Sequence, residues 1–305
     1  TLIMQWMTVF FIILLLVVVI QFFLSPVMSL ADSATMMMLG QEKSMYGRIR
    51  LGGSIGWGVL APIAGLLVDN YGLKITFWSF SILMFINVLV SQKVVHDVPQ
   101  HTTTENHGVR FFLTSRRWIM FLLLAFLGGL GTLTVTSYLF PHMAEMGASE
   151  SLMGLASLIA TLTELPIFFF GNRLVKRFTH HGLFLLALVL MGVRSLLFAW
   201  VSTPFGILIV QAMGGTIFPA MWLGGVSYAD EHAPAGLKST AQGLFGSMTF
   251  GFGSAIGGFI GGLLLESIGG RGLFLVFGII MLVGLGLIEG FRRLVPEKAI
   301  PEPVS

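Results

Sequence analysis

The chain contains no cysteine, which excludes disulfides, thiolate metal sites and cysteine nucleophiles. Charge is nearly as scarce. Asp, Glu, Lys and Arg make up 10% of the 305 residues, where a soluble domain carries about 25%, so the ionic surface that water requires is missing. There is no HExxH zinc motif and no phosphate-cradling GxxxxGK; neither a metal nor a cofactor is expected. What is present is apolar: 55% hydrophobic residues, 38 glycines and a mean hydropathy of +0.90. Glycine at that level suits close packing of membrane helices. The net charge of +3 is spread through short loops between apolar runs. That excludes a nucleic-acid patch and makes a lipid bilayer the expected partner.

A spanning helix needs about 20 mostly apolar residues. Nine segments qualify, at roughly 7–29, 51–68, 73–93, 118–140, 150–172, 182–201, 204–228, 239–265 and 271–291. The first is longer than a signal-peptide core and lacks a basic start and a small-residue cleavage site, so it reads as a transmembrane helix. Because Thr1 leads almost at once into it, the chain is expected to be a fragment. Residues 94–117 are polar without an apolar run and read as a surface loop between two bundles. Fourteen of the seventeen Lys and Arg residues fall in the loops after the first, third, fifth and seventh spans and in the C-terminal tail. The opposite side holds Lys74 and Arg271, and Arg194 lies inside a span. By the positive-inside rule the 94–117 loop and the C-terminus are cytoplasmic.

The chain also repeats. Gly65-Leu66-Leu67-Val68-Asp69-Asn70-Tyr71-Gly72-Leu73-Lys74 matches Gly262-Leu263-Leu264-Leu265-Glu266-Ser267-Ile268-Gly269-Gly270-Arg271 without a gap, with acid, glycine and base at the same spacing. Ala31-Asp32 matches Ala229-Asp230. The first three spans therefore correspond to the last three, and the middle three have no counterpart. Two parallel six-helix halves, with the first three helices absent from this chain, explain the pattern. The expected domains are 1–93, a partial three-helix N-terminal bundle; 94–117, a cytoplasmic central loop; and 118–305, a C-terminal six-helix bundle and tail. The fold class is all-α integral membrane.

Two six-helix halves joined by a polar loop resemble the major facilitator superfamily. The stretch from Tyr46 to Gly58, YGRIRLGGSIGWG, and that from Tyr228 to Gly243, YADEHAPAGLKSTAQG, are similar to the lactose permease branch and its neighbours, the nucleoside–proton symporters and phenylpropionate permeases. The resemblance spans essentially the whole chain. It implies helices four to twelve of twelve and a secondary transporter working by alternating access. The expected ligands are a small polar or ring-containing solute (a sugar, nucleoside or aromatic acid) and protons. A monomer in the plasma membrane is expected.

Five residues are candidates for the site. Glu164 lies nine residues from Arg173, or about 13 Å, and Arg194 about twelve residues into its span, or about 18 Å. Both fall near the midplane at depths where their side chains are able to meet. A charge there costs about 2.5–3.5 kcal/mol on insertion scales, so each needs a partner or a wet cavity; a purely structural ion pair is the bland reading. The resemblance implies substrate binding and proton coupling for both, with Glu164 carrying the proton and Arg194 tuning it. Asp32 closes the first span and Arg50 opens the second. Residue chemistry alone makes them an acid at a helix end and one more loop Arg. The resemblance implies that they hold substrate, with Trp57 stacking on a ring. Where the permease pattern has His, Glu and Lys, this chain has Gly214, Ile217 and Phe250. The recurring glycines Gly253, Gly257 and Gly261, and Gly52 and Gly56, read as packing faces, and Pro62 and Pro219 as kinks.

Rival readings are a solute sensor or uncoupled facilitator of the same fold, and an intramembrane enzyme with Ser54 of Gly53-Ser54 as nucleophile. The enzyme lacks a histidine at membrane depth to serve as base.

Overall fold

A computed structural model describes residues 4, 6, 7, 9–72, 74–92, 110–234 and 236–294. Every regular element among them is helical: α1 (Phe10–Leu39), α2 (Tyr46–Tyr71), α3 (Lys74–Ser91), α4 (Arg110–Thr114), α5 (Arg116–Glu145), α6 (Glu150–Phe169), α7 (Gly171–Phe178), α8 (His180–Trp200), α9 (Pro204–Gln211), α10 (Gly214–His232), α11 (Lys238–Gly246) and α12 (Ser254–Leu294). A 3-10 turn, Lys43–Met45, joins α1 to α2, and a π-helical turn, Ser247–Gly253, joins α11 to α12. Helix is the expected answer in lipid, where each backbone N–H must find its acceptor within the segment. Seven helical stretches among the described residues are long and apolar enough to cross a bilayer. The last covers 57 residues, Lys238–Leu294, enough for two crossings, and its backbone leaves the helix at Gly269 (φ 68°, ψ 176°).

That break is one half of the repeat. Gly72, the residue matched to Gly269, has φ 74° and ψ 172° at the end of α2, a region only glycine occupies freely. Both spans turn back through the same backbone conformation. At the second turn the Glu145 carboxylate accepts the free Gly270 N–H (2.8 Å to Oε2), and Arg271 Nε donates to the Ala199 carbonyl at 2.7 Å.

Helices α5, α8, α10 and α12 pack on one another around Trp118, Phe121, Phe184, Met221, Phe274 and Phe277. Glycines let the helices close. A methyl on Gly257 would sit 3.3 Å from Leu130, and one on Gly253 2.7 Å from the Phe126 carbonyl. The Gly253–Gly257–Gly261 face is thus a packing face of the last bundle against α5. Gly52 and Gly56 depart from the packing reading: no atom among the described residues lies within 4 Å of a methyl built on either. Helix α1 runs along α11, and α2 along α6 and α3. Phe10, Phe11, Phe22 and Phe23 stand exposed on α1, as lipid as the surrounding solvent allows.

Several expected boundaries move. Helix α1 continues ten residues beyond 29, so Asp32 lies inside it rather than at its end; the carboxylate has donors there and does not interrupt the helix. Helix α2 begins five residues early, which puts Arg50 one turn inside. The 204–228 span breaks between Gln211 and Gly214. Pro219 lies within α10. Residues 110–114, read as part of a polar loop, form α4, where Phe112 is buried edge-on against the Trp118 ring at 4.6 Å. Residues 93–109 of that loop and the tail beyond Leu294 lie outside the described residues.

Candidate functional site

The second helix presents one stripe to α6. Gly47, Arg50, Ser54 and Trp57 recur at three- and four-residue spacing and so share a face. Gly47 brings the backbones together: a methyl there would sit 2.6 Å from the Phe168 carbonyl oxygen. One turn further the Arg50 guanidinium lies over the Phe168 ring, 5.6 Å from its centre. Ser54 Oγ then donates to Glu164 Oε1 at 3.2 Å. The Arg50 charge acts on both Glu164 and Asp32, forms no ion pair with either, and its Nε is buried without a hydrogen-bond partner among the described residues. Trp57 is 73% exposed, its ring free of the protein contacts that would mark a core position.

Arg194 does not meet Glu164. It is 6% exposed, with Nη2 donating to Gln211 Oε1 at 2.5 Å and the guanidinium 5.1 Å from the Phe198 ring centre. Its Nε has no partner among the described residues. Both side chains reach the start of α10, but they do not face one another. A methyl on Gly214 would sit 2.6 Å from Arg194 Nη2, while one on the next residue, Gly215, would run into the Thr163–Glu164 backbone. The two charges flank the Gly214–Gly215 start of α10, Glu164 turned toward α2 and Arg194 behind α10. Gln211 escaped the sequence reading; a lone amide inside an apolar span, three residues before a double glycine, was its signal.

Asp32 is 6% exposed and both of its oxygens are taken. Tyr46 Oη donates to Oδ1 at 2.7 Å, and Trp222 Nε1 donates to Oδ2 at 3.1 Å and to Tyr46 Oη at 3.1 Å. Neither Tyr46 nor Trp222 was singled out from sequence, because each reads as an ordinary core aromatic until its polar atom is seen to point at a carboxylate. Asp32 and Arg50 are neighbours but not an ion pair. Beside them lies a cavity of about 790 Å³ between α1, α10 and the π turn, lined by Gln21, Ser29, Trp222, Ser247 and Phe250. The Trp222 and Phe250 rings stand 5.2 Å apart. Phe250 thus gives the cavity an aromatic wall where the permease pattern has Lys. Ile217, by contrast, is buried in the core.

At the end of the molecule that carries the basic loops, Asp230 is clamped by Lys43 and by Lys238 Nζ at 3.2 Å. Burial works to lower the Lys43 pKa, but the hydrogen bond and charge of Asp230 outweigh it and hold the ammonium above its ordinary value. Ser33 and Ser239 share a hydrogen bond of 2.8 Å in the same region. His180 Nδ1 meets Glu231 Oε2 at 2.6 Å, and Arg117 Nε donates to Tyr228 Oη at 3.0 Å. No group of three or more His, Asp or Glu able to hold a metal occurs among the described residues.

The sequence profile of a family described as the MFS_1 like family matches residues 1–276. Maltose permease of Geobacillus stearothermophilus is 28% identical over 262 residues, which cover 86% of this chain and 66% of the permease. The uncharacterized transporter YwbF of Bacillus subtilis is 25% identical over 274 residues, 87% of this chain and 67% of that protein. A Xenopus laevis protein named major facilitator superfamily domain-containing protein 6-like protein A is 26% identical over 72% of this chain and 38% of its own length. The chain therefore spans at most about two thirds of these relatives. Among solved structures, the nucleoside transporter NupG superposes with a TM-score of 0.58 at 20% identity, covering 88% of this chain and 73% of NupG. At that identity the likeness establishes the fold.

Proposed function

The chain belongs to the MFS_1 like family and has the major facilitator fold, and from that premise we propose that it is part of a proton-coupled symporter for a small, polar, ring-bearing solute. The observation that carries this reading is the α2–α6 seam, where Glu164, Ser54 and Arg50 put a carboxylate, a hydroxyl and a guanidinium beside an exposed indole. An ionisable group at membrane depth that faces another mobile element is the usual mark of an ion or substrate path. In the proposal Arg50 holds polar substituents by a two-pronged hydrogen bond and Trp57 stacks on the ring. Glu164 exchanges the proton. Arg194, held by Gln211, supplies fixed positive charge behind α10.

The aromatic wall of Trp222 and Phe250, with Ser29 and Ser247 hydroxyls and no cationic side chain among the cavity's described lining, favours a sugar or nucleoside over an aromatic acid. The relative named as a maltose permease supports the same class. The division into a partial N-terminal bundle (1–93), a central loop (94–117) and a C-terminal bundle (118–305) completes the proposal. So does a monomer in the plasma membrane with a cytoplasmic C-terminus, supported by the fourteen-to-two split of basic residues. Reporter fusions at His107 and Pro301 are both expected to read inside.

The deciding experiment is uptake into proteoliposomes by the full-length polypeptide under an imposed pH gradient, with maltose, nucleosides and aromatic acids as the panel. Wild type is expected to accumulate a sugar or nucleoside. Glu164→Gln is expected to lose accumulation while keeping counterflow, because exchange moves no proton. Accumulation that persists in Glu164→Gln puts the carrier elsewhere. Counterflow without any response to pH in wild type turns the reading to an uncoupled facilitator.

A further inference from the structure

The Ala31-Asp32 and Ala229-Asp230 match places one acid in α1 and one in α10, and each reaches the opposite half of the molecule. Asp230 takes Lys43, from the turn that follows α1, along with its own neighbour Lys238. Asp32 takes Trp222 of α10, along with its own half's Tyr46. The two straps differ in chemistry. Asp230 is held by two ammonium groups. Asp32 is held by neutral donors, with the Arg50 charge nearby but no ion pair. Opposite charges favour the ionised form of an acid more than neutral donors do, so of the two straps the one at Asp32 is the more open to a proton.

We propose that Asp32 is a second proton-binding site of the transporter, and that its protonation releases α10 from α1 and α2. The ionised carboxylate accepts two charge-assisted hydrogen bonds, which are about twice as strong as neutral ones. A proton on the carboxyl makes both bonds neutral, with the Tyr46 hydroxyl turning from donor to acceptor, so the contact that crosses to α10 loses its charge assistance. The contact most directly weakened is that of Trp222, which crosses between the halves and also lines the aromatic cavity. Asp32 therefore acts on the cavity wall rather than holding substrate itself. The charged and titratable groups around it are accounted for on each packed element. On α2 they are Tyr46 and Arg50. On α10, Trp222 faces Asp32, and Asp230 and Glu231 are engaged with Lys43 and His180. Lys238 of α11 turns to Asp230, and Ser239 meets Ser33.

The proposal rests on the proton-coupled reading above, and its test needs no substrate. Spin labels on Gln41→Cys and Lys176→Cys, exposed positions in opposite halves, report the gap between them in the full-length protein in lipid nanodiscs frozen at a series of pH values. A longer distance is expected to grow in as pH falls, and Asp32→Asn is expected to show it at every pH. Trp222→Phe keeps a ring but removes the crossing contact itself, so the longer distance is expected at every pH, as in Asp32→Asn. A distance independent of pH in wild type overturns the proposal, as does a pH response that survives Asp32→Asn or Trp222→Phe. A response lost in Glu164→Gln yet kept in Asp32→Asn also overturns it and leaves the coupling reading standing. Uptake without proton coupling, with the Asp32-dependent response intact, overturns the coupling reading alone.

Discussion

A guanidinium buried without a carboxylate partner depends on whatever neutral acceptor reaches it. For Arg194 that acceptor is the Gln211 amide, and Gly214 leaves the space in which the two meet. Gln211→Leu is expected to lower stability by about 2 kcal/mol, in the range for hydrogen bonds to charged groups, measured as a drop in the melting temperature of the purified protein. Gly214→Ala is expected to do similar harm, since its methyl would displace the guanidinium. Arg50 and Trp57 make the opposite kind of case, being poorly satisfied or exposed. Their substitution is expected to alter solute affinity more than stability. Arg50→Lys should weaken binding, because a point charge cannot reproduce a planar fork. Trp57→Phe should be milder than Trp57→Ala, read as apparent affinity in counterflow. Equal affinity in all three would make the seam a packing feature.

Glycine has two distinct uses in these helices, close contact and an unusual backbone turn. Along α5 and the π turn it permits contact. Gly129 lies against the Thr249 carbonyl and the Gly253 backbone, so Gly129→Ala is expected to cost about 1–3 kcal/mol by overpacking. Gly52→Ala and Gly56→Ala, with open space around them, are expected to leave the melting temperature unchanged. At Gly72 and Gly269 the requirement is conformational. Alanine at either is expected to cost about 1–3 kcal/mol whatever the space, and the two losses should be similar because the two turns share one geometry. The π turn carries Phe250 and Ser247 to the cavity, in line with the tendency of such turns to occur at functional sites. Its position was not legible in sequence, since a single added residue per turn leaves hydropathy unchanged.

The α1–α2 hairpin is held to α10 at one end by two contacts of different chemistry, Lys43 to Asp230 and Asp32 to Trp222. Lys43 is held above its ordinary pKa of 10.5 by Asp230. The sign of the linkage follows: its contribution is fully present below the ordinary value and fades only as pH rises through the elevated one. Across the neutral range Lys43 therefore stays protonated on its side of this strap. Lys43→Met is therefore expected to favour the open arrangement at every pH while keeping a pH response, its midpoint moved upward by linkage, read by the same spin-label distance. A response lost in Lys43→Met would mean that Lys43, rather than Asp32, senses the proton. The paired burial of α5, α8 and α10 against the wholly exposed windows of α1 and α3 shows which helices find their partners among the described residues.

The order of the apolar spans and the acid–glycine–base repeat follow from the sequence alone, because lipid forces backbone groups to pair within each segment; of nine spans expected, seven helical stretches among the described residues are long and apolar enough to cross, the last with length for two. The Gly72 and Gly269 turns were legible for the same kind of reason: few residues other than glycine tolerate that backbone. Depth was legible too, since each residue advances a helix by about 1.5 Å, and that arithmetic brought Glu164 and Arg194 to adjacent residues of α10. Direction was not. Each residue also rotates the helix by about 100°, and which neighbour then lies opposite depends on how the other helices pack. Hence Glu164 pairs with Ser54, Arg194 with Gln211, and Asp32 with Tyr46 and Trp222. These are contacts between residues as many as 190 positions apart in the chain, and only the packing of α2 on α6 and of α10 against α6 and α8 fixes which polar atoms come within reach.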